Sequence, residues 1–272
     1  MMGCWLVLSG VPLRVFDVFP FFNELDLLEL RMDELRPVVD VFGAVELPVT
    51  FTGKPKPMNL GAREDMRVHT PAAHPVGPHP VVDWFQRRQT AKLFVDAAPD
   101  DIIMLSDVDE IPNRETVRKV IAEGLDFPVT LMMDLYYHRV DLKDPVPWAG
   151  TVIAPRRCLG TDPDMQELRQ NRWNFPIIAA GGWHFSWLGT PEQVREKLRA
   201  VDIDRESAIY GSDGIVAPPE DEEYLRRCVE TGADLFGRAA RPKQHVKIVP
   251  GVLQPHGVVP WLERHPQYAR AA

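Results

Sequence analysis

Apolar positions along this chain recur with two periods. Residues 13–19, rich in Val and Phe, read as a strand that Pro20 ends. Beyond it Leu25, Leu28, Met32 and Leu35 fall at helical spacing. Asn23 stands where it can cap that helix, Glu24 and Asp26 lie in its first turn, Arg31 and Arg36 come late, and Pro37 closes it. Residues 38–47 then read as a second strand, ending near Glu46. Strand, helix and strand in that order predict a parallel pair with a right-handed crossover.

The pattern continues in the same style. Residues 63–80, where Pro71, Pro75, Pro78 and Pro80 interleave with His69, His74 and His79, predict a long loop of the kind that serves as a lid. Helices are expected over residues 81–97, carrying Arg87 and Arg88 toward the central strand, and over 113–123, within 162–172, and over 191–200 and 219–231. Thr190 and Gln193 form a capping box for the fourth of these, and Gly232 ends the fifth. Strands are expected over 129–137, with Asp134 inside, and over 150–155. There is no internal repeat, low-complexity tract or linker, so residues 1–272 are expected to form a single α/β domain, a mostly parallel central sheet flanked by helices.

The chemistry concentrates in residues 101–112. Ile102 to Leu105 is a short apolar run bounded by acids, the mark of a buried strand in a parallel sheet, and Asp107, Asp109 and Glu110 stand at its carboxyl end. In extended backbone Asp107 and Asp109 project from the same side and can reach one ion while Val108 packs behind, and Pro112 stops the strand. Carboxylates this close repel unless protons or a cation neutralise them, and oxygen-only ligands suit Mn²⁺ or Mg²⁺. Asp107 and Asp109 are therefore candidate metal ligands that would hold a phosphorylated substrate through the ion. The plainer alternative is an acidic strand-to-helix turn, with Asp109 or Glu110 near the start of the helix at Asn113.

Two other stretches carry candidate chemistry. In residues 51–57, Lys54 and Lys56 sit on a stiff, proline-punctuated backbone after Gly53 and could present ammonium groups to a diphosphate, or simply be solvated. A phosphate-cradling P-loop is excluded, since no glycine stands five positions before Gly53. Residues 179–187 join a glycine pair to Trp183, His184, Phe185, Ser186 and Trp187, which suits either a sugar-ring platform or a buried aromatic strand whose histidine satisfies a core hydrogen bond.

A formal net charge of −8 argues against nucleic acid as a partner. Cys4, Cys158 and Cys228 are odd in number and lack CxxC spacing, which suggests neither a disulfide framework nor a zinc site. The apolar residues 1–18 have no basic n-region and are too short to span a bilayer, so no membrane span and a cytoplasmic location are expected.

Four blocks in order resemble glycosyltransferase family 17: residues 16–31, 50–57, 106–112 and 182–188, with a weaker echo through 232–238. The resemblance implies a GT-A-type nucleotide-diphospho-sugar fold, a UDP-N-acetylglucosamine donor, a glycan acceptor, a divalent metal on Asp107 and Asp109, and inversion at the anomeric carbon. Toward the donor the candidates are Asn23, Glu46, Lys54, Lys56, Arg88 and Asp107, and toward the sugar Trp183 and His184. The catalytic base is assigned to Glu206, in an acidic stretch after the Trp-His block, with Asp204 and Asp134 as the other carboxylates considered. Two competing readings are an Asp-x-Asp phosphohydrolase with Asp107 as nucleophile, and a non-catalytic sugar-binding module using Trp183 and Trp187.

Overall fold

All seven side chains of Val15–Phe21 are buried, so both faces of this strand are covered, and its sequence runs apolar instead of alternating. The computed structural model describes residues 12–76, 79–201, 220–236 and 242–270. Among them the strands are β1 (Val15–Phe21), β2 (Val41–Glu46), β3 (Arg67–His69), β4 (Ile102–Leu105), β5 (Glu110–Pro112), β6 (Val129–Tyr137), β7 (Leu142–Lys143), β8 (Trp148–Pro155), β9 (Ile177–Ser186) and β10 (Gln244–His245). The helices are α1 (Leu25–Leu35), α2 (His79–Gln89), α3 (Arg114–Glu123), α4 (Met165–Gln170), α5 (Pro191–Val201), α6 (Glu222–Thr231) and α7 (Val258–Arg264).

The strands join in one sheet, ordered β10-β7-β6-β8-β4-β1-β2-β3, with β9 beside β6 and β5 beside β9. β3, β2, β1 and β4 are mutually parallel, as the βαβ reading requires. β8 enters antiparallel to β4 and β6, and β9 runs parallel to β6. The expected α/β architecture is the one observed, with the parallel strands in its core. Residues of β1 divide by parity: Val15, Phe19 and Phe21 share a cluster with Leu28 and Met32 of α1 and Val117 of α3, while Phe16 and Val18 pack with Leu93, Phe94 and Met165. Helices therefore cover both faces. Gly43 of β2 leaves the space that Leu93 fills, since a Cβ there would lie 3.1 Å from that side chain.

Several local expectations change. Pro20 does not end β1 but lies inside it, opposite Val45. The β4 ladder reaches only to Val18, whose carbonyl accepts from Ser106 N, so the nitrogen of Pro20, two residues on and facing the same flank, has no ladder bond to lose. Pro112 likewise sits in β5 opposite Gly182. The histidine-rich loop holds β3 against β2, and the helix expected over 81–97 divides into α2 and a 3₁₀ segment, Thr90–Phe94. Glu24, not Asn23, occupies the cap of α1, and no side chain caps it. The expected capping box of α5 does form, with Gln193 Oε1 accepting from Thr190 N at 2.8 Å, and Asn113, expected only as the start of α3, caps it, its Oδ1 accepting from Glu115 N at 2.9 Å. Among the described residues no helix is long and apolar enough to cross a membrane.

Candidate active site

The chain leaves the line of β4 after Leu105 and turns back into β5, with Glu110 N donating to Asp107 O at 3.0 Å. Asp107 and Asp109 therefore lie in a turn and not on extended backbone. The cause is a distant partner: Glu110, Ile111 and Pro112 pair with His184, Trp183 and Gly182 of β9, and this pairing draws the chain aside. Gly182 makes that approach possible, because at φ 141° a Cβ would fall 2.1 Å from Ile111 O.

A buried arginine holds the turn from behind. Arg31 of α1 grips Asp17 of β1 with two bonds, Nε to Oδ2 at 2.7 Å and Nη2 to Oδ1 at 2.5 Å, and both side chains are fully buried. Its remaining donors go to Ser106 Oγ at 2.5 Å and to the carbonyls of Asp107 at 3.1 Å and Glu110 at 2.6 Å. One guanidinium thus ties the first strand to the backbone of the acidic turn, and its fork geometry suits that task better than an ammonium would.

Asp107 faces forward between two more arginines, Arg87 of α2 and Arg169 of α4, the latter at 3.1 Å. Burial pushes its carboxyl up, but the two guanidinium groups outweigh this and hold it well below the usual carboxylate range. Glu110, fully buried, accepts from Arg169, from Trp148 Nε1 at 2.5 Å and from Asp107 N at 3.1 Å. Asp109 has a different setting: burial pushes its carboxyl up, opposed by Lys197 and His184. Lys197 Nζ of α5 lies 3.3 Å from Asp109 Oδ2 and 3.4 Å from Glu24 Oε1. Burial works against the Lys197 charge, and Asp109 and Glu24 outweigh it, raising its pKa. His184 Nε2 is 3.7 Å from Asp109 Oδ1, and its ring tilts against Trp148 with centroids 4.9 Å apart.

Of these groups Glu24, Arg87, Asp107, Asp109, His184 and Lys197 face one cavity of about 260 Å³ over the carboxyl ends of β1 and β4, where open α/β sheets bind ligands. Phe22, Thr50, Phe51 and Lys56 line one side, Gln86 and Arg87 another, and Asp107, Asp109, His184, Trp187 and Lys197 the rest. Gln86 fixes α2 across the strand ends by donating to Phe21 O at 2.9 Å and Val45 O at 2.8 Å.

The sequence candidates separate accordingly. Asp107, Asp109, His184 and Lys56 reach the cavity. Lys56 does so while bonded to Glu46 Oε1 at 2.6 Å, and Glu46 itself is fully buried, its oxygens also taken by Asn59 N at 2.8 Å and Leu60 N at 3.0 Å. Glu46 thus shapes the lysine loop from beneath. Lys54 is exposed on that loop, and Asn23 stands beside the cavity residues Phe22 and Glu24 without lining it. Arg88 turns away to Asp164 at 2.8 Å; its neighbour Arg87 is the one at the site. Trp183 is 1% exposed and packs in the core, because alternation along β9 sends Trp183 and Phe185 inward and His184 and Ser186 to the cavity. Trp187, past the strand end at φ 54°, is the tryptophan that lines the cavity. Asp134 pairs with Lys143 at 2.6 Å and does not line the cavity. Glu206 and Asp204 lie outside the described residues.

Sequence reasoning missed Arg31, Arg169, Glu24 and Lys197, and of the pair Arg87 and Arg88 it chose Arg88 for the site. Only Arg87 carried a local signal, since Asp83 stands one helical turn before it and pairs with it at 3.0 Å.

The fit of a divalent metal can be read from these donors. Among the described residues no three His, Cys, Asp or Glu side chains converge closely enough to hold an ion alone. The forward-facing donors are nevertheless carboxylate oxygens, and a cation, the Lys197 ammonium, already sits between two of them. Two nitrogens of cavity-lining residues, Arg87 Nε and His184 Nδ1, are buried without a hydrogen-bond partner. Such a site fits a hard cation that takes part of its coordination from a bound anion.

A family model described as glycosyltransferase family 17 matches residues 2–199. The chain is 25% identical to the beta-1,4-mannosyl-glycoprotein 4-beta-N-acetylglucosaminyltransferase of Rattus norvegicus and 26% identical to that of Homo sapiens, each match covering 89% of this chain and 53% of the relative. The chain thus spans about half the length of these curated relatives. Among solved structures, a 4-diphosphocytidyl-2C-methyl-D-erythritol synthase is similar with a TM-score of 0.37 at 15% identity, covering 62% of this chain and 90% of that one. A glucosyl-3-phosphoglycerate synthase from Mycobacterium tuberculosis, in complex with Mn²⁺, UDP and phosphoglyceric acid, is similar with a TM-score of 0.32 at 17% identity, covering 61% and 67%. Neither likeness is close enough to transfer a site.

Proposed function

We propose that this chain, which belongs to glycosyltransferase family 17, moves N-acetylglucosamine or a related sugar from a UDP-sugar to a glycan acceptor, with inversion and with Mn²⁺ or Mg²⁺ held at Asp107 and Asp109. The observation that carries the metal is the charge balance of the cavity. Its cations, Lys56, Arg87 and Lys197, are each already paired with a carboxylate: Lys56 with Glu46, Arg87 with Asp83 and Asp107, Lys197 with Glu24 and Asp109. Lining carboxylates outnumber lining cations by four to three. A bare diphosphate would meet no net positive field there, whereas its complex with a dication would. When bound, the ion would offset charge developing on the departing diphosphate.

The protein's own groups supply the rest. Phe22 and Phe51 offer rings in the cavity wall suited to a nucleobase, and Trp187 with His184 offers a platform for the sugar. Arg87 and Arg169 keep Asp107 ionised, which suits a ligand and makes it a poor proton acceptor. The base therefore stays with Glu206, whose replacement by Gln should lower kcat and leave UDP affinity nearly unchanged. The same two guanidinium contacts speak against Asp107 as a phosphohydrolase nucleophile, and the burial of Trp183 speaks against a binding module built on it.

Titration calorimetry of UDP with and without Mn²⁺, on wild type and on Asp109→Asn, tests the reading. Metal should tighten UDP in the wild type, the variant should lose that coupling while keeping its fold, and UDP-N-acetylglucosamine should turn over with UDP release. Metal-independent UDP affinity in the wild type would overturn the assignment.

A further inference from the structure

We propose that Lys197 is a donor-contact residue that changes partners: its ammonium, which lies between Asp109 and Glu24, passes to the donor's diphosphate when a divalent cation takes over Asp109. This rests on the reading of the cavity as a site for a metal and a nucleotide-sugar. Three observations support the exchange.

The first is position. Lys197 Nζ lies 3.3 Å from Asp109 Oδ2 and 3.4 Å from Glu24 Oε1, so it occupies the space between two carboxylates that a cation of either kind would seek. A metal ion drawing on Asp109 weakens that carboxylate's hold on the ammonium and repels it. Of the two cations the ammonium is the one that can move, being on a flexible stem of four carbons.

The second is the contrast between a fixed helix and a movable head. α5 is anchored by its capping box at Thr190 and Gln193 and by Val194 and Leu198, buried in a cluster with Leu225, Cys228 and Val229 of α6. The backbone of Lys197 therefore stays in place while its ammonium swings. The third is where the head can go. Its nitrogen lies 5.7 Å from the ring centre of Trp187, and both side chains line the cavity, so a displaced ammonium stays over the aromatic wall and faces the space assigned to the donor.

The exchange makes a prediction of opposite signs. In the resting protein Lys197 competes with the metal, and in the loaded protein it helps to hold the nucleotide. Lys197→Met should therefore bind Mn²⁺ alone more tightly than wild type, by about threefold or more, yet bind UDP in saturating Mn²⁺ about tenfold more weakly, as loss of one charge-assisted contact gives. Lys197→Arg, which keeps the charge, should restore UDP affinity and keep Mn²⁺ binding weak. Calorimetry of Mn²⁺ alone, and of UDP at saturating Mn²⁺, on the three proteins reads all of this, with thermal melts to confirm folding. A parallel loss of both affinities in Lys197→Met, or UDP affinity unchanged in that variant while the wild type couples metal to UDP, would overturn the exchange alone. No coupling in the wild type would overturn it together with the proposed function.

Discussion

Replacing Arg31 with methionine should remove more stability than any surface change could. The substitution keeps most of the apolar volume beside Phe19, whose ring centre lies 4.7 Å from the guanidinium carbon, and deletes the charge. Asp17, fully buried, then loses both of its short bonds to Arg31, and the carbonyls of Asp107 and Glu110 lose the donor that faces them. Breaking one side of a buried ion pair costs about 3–5 kcal/mol, against a total stability for a globular domain of about 5–15 kcal/mol. Asp17→Asn should cost less, because Arg31 keeps the Ser106 hydroxyl and the turn carbonyls as partners. In the double variant the uncompensated charge is gone, so its loss should fall short of the sum of the single losses by about 1–3 kcal/mol. Urea unfolding of the four proteins closes the cycle. A loss below about 1 kcal/mol for Arg31→Met, or single losses that add within about 0.5 kcal/mol, would refute the assignment of Arg31 as the clamp of the acidic turn.

Trp183→Ala should destabilise the fold by about 3–5 kcal/mol as a buried aromatic truncation, whereas Trp187→Ala should keep most of the stability and weaken sugar binding; equal stability losses in urea would contradict the division of β9 into core and cavity faces. Arg87→Ala should weaken UDP binding in Mn²⁺ at least tenfold and Arg88→Ala by less than about twofold, measured by calorimetry, since of these two only Arg87 contacts Asp107 and lines the cavity. Burial lowers the His138 pKa to about 4, against two carbonyls at 3.2 Å that favour its charged form, Ala233 O and Trp187 O. Its folded value lies below the unfolded one near 6.5, so the unfolded chain takes up the proton first; the stability is present above about 6.5 and is lost as pH falls toward 4, by roughly 3 kcal/mol. Asparagine tolerates the φ of 69° at that position, so His138→Asn should fold and show a flatter decline of unfolding free energy between pH 7 and 4 than wild type; parallel declines would refute the argument.

The first βαβ unit was legible because both of its periods are local. The apolar run at β4 and its acids were legible for the same reason, while the turn they occupy was not: it is set by β9, whose His184 pairs with Glu110 from 74 residues away. Pro20 and Pro112 misled because a proline marks the absence of one donor, and whether that donor was needed depends on a neighbouring strand. The aromatic block was read as one unit toward the sugar, but period-two alternation places Trp183 and His184 on opposite faces, a consequence that follows once the segment is taken as a strand. Arg88 was favoured over Arg87 although Asp83 marks the phase of that helix face. Arg31 and Lys197 looked like ordinary helix cations, and their roles depend on carboxylates brought in by tertiary contact. The base assigned to Glu206 falls outside the described residues and rests on the sequence alone.

The spacing of the Arg31 contacts bears on the order in which the protein is made. Asp17 and Arg31 are 14 residues apart, within a single strand-and-helix unit, whereas Ser106 and Glu110 lie 75 and 79 residues from Arg31. As the chain leaves the ribosome, the fork between helix and first strand can close well before the acidic turn exists. Its remaining N–H donors are the ones that meet the acidic turn in the folded protein, so the turn completes a contact whose other half is local. If the local half closes first, a chain carrying lysine at position 31 should acquire nucleotide binding during refolding more slowly than its helical signal.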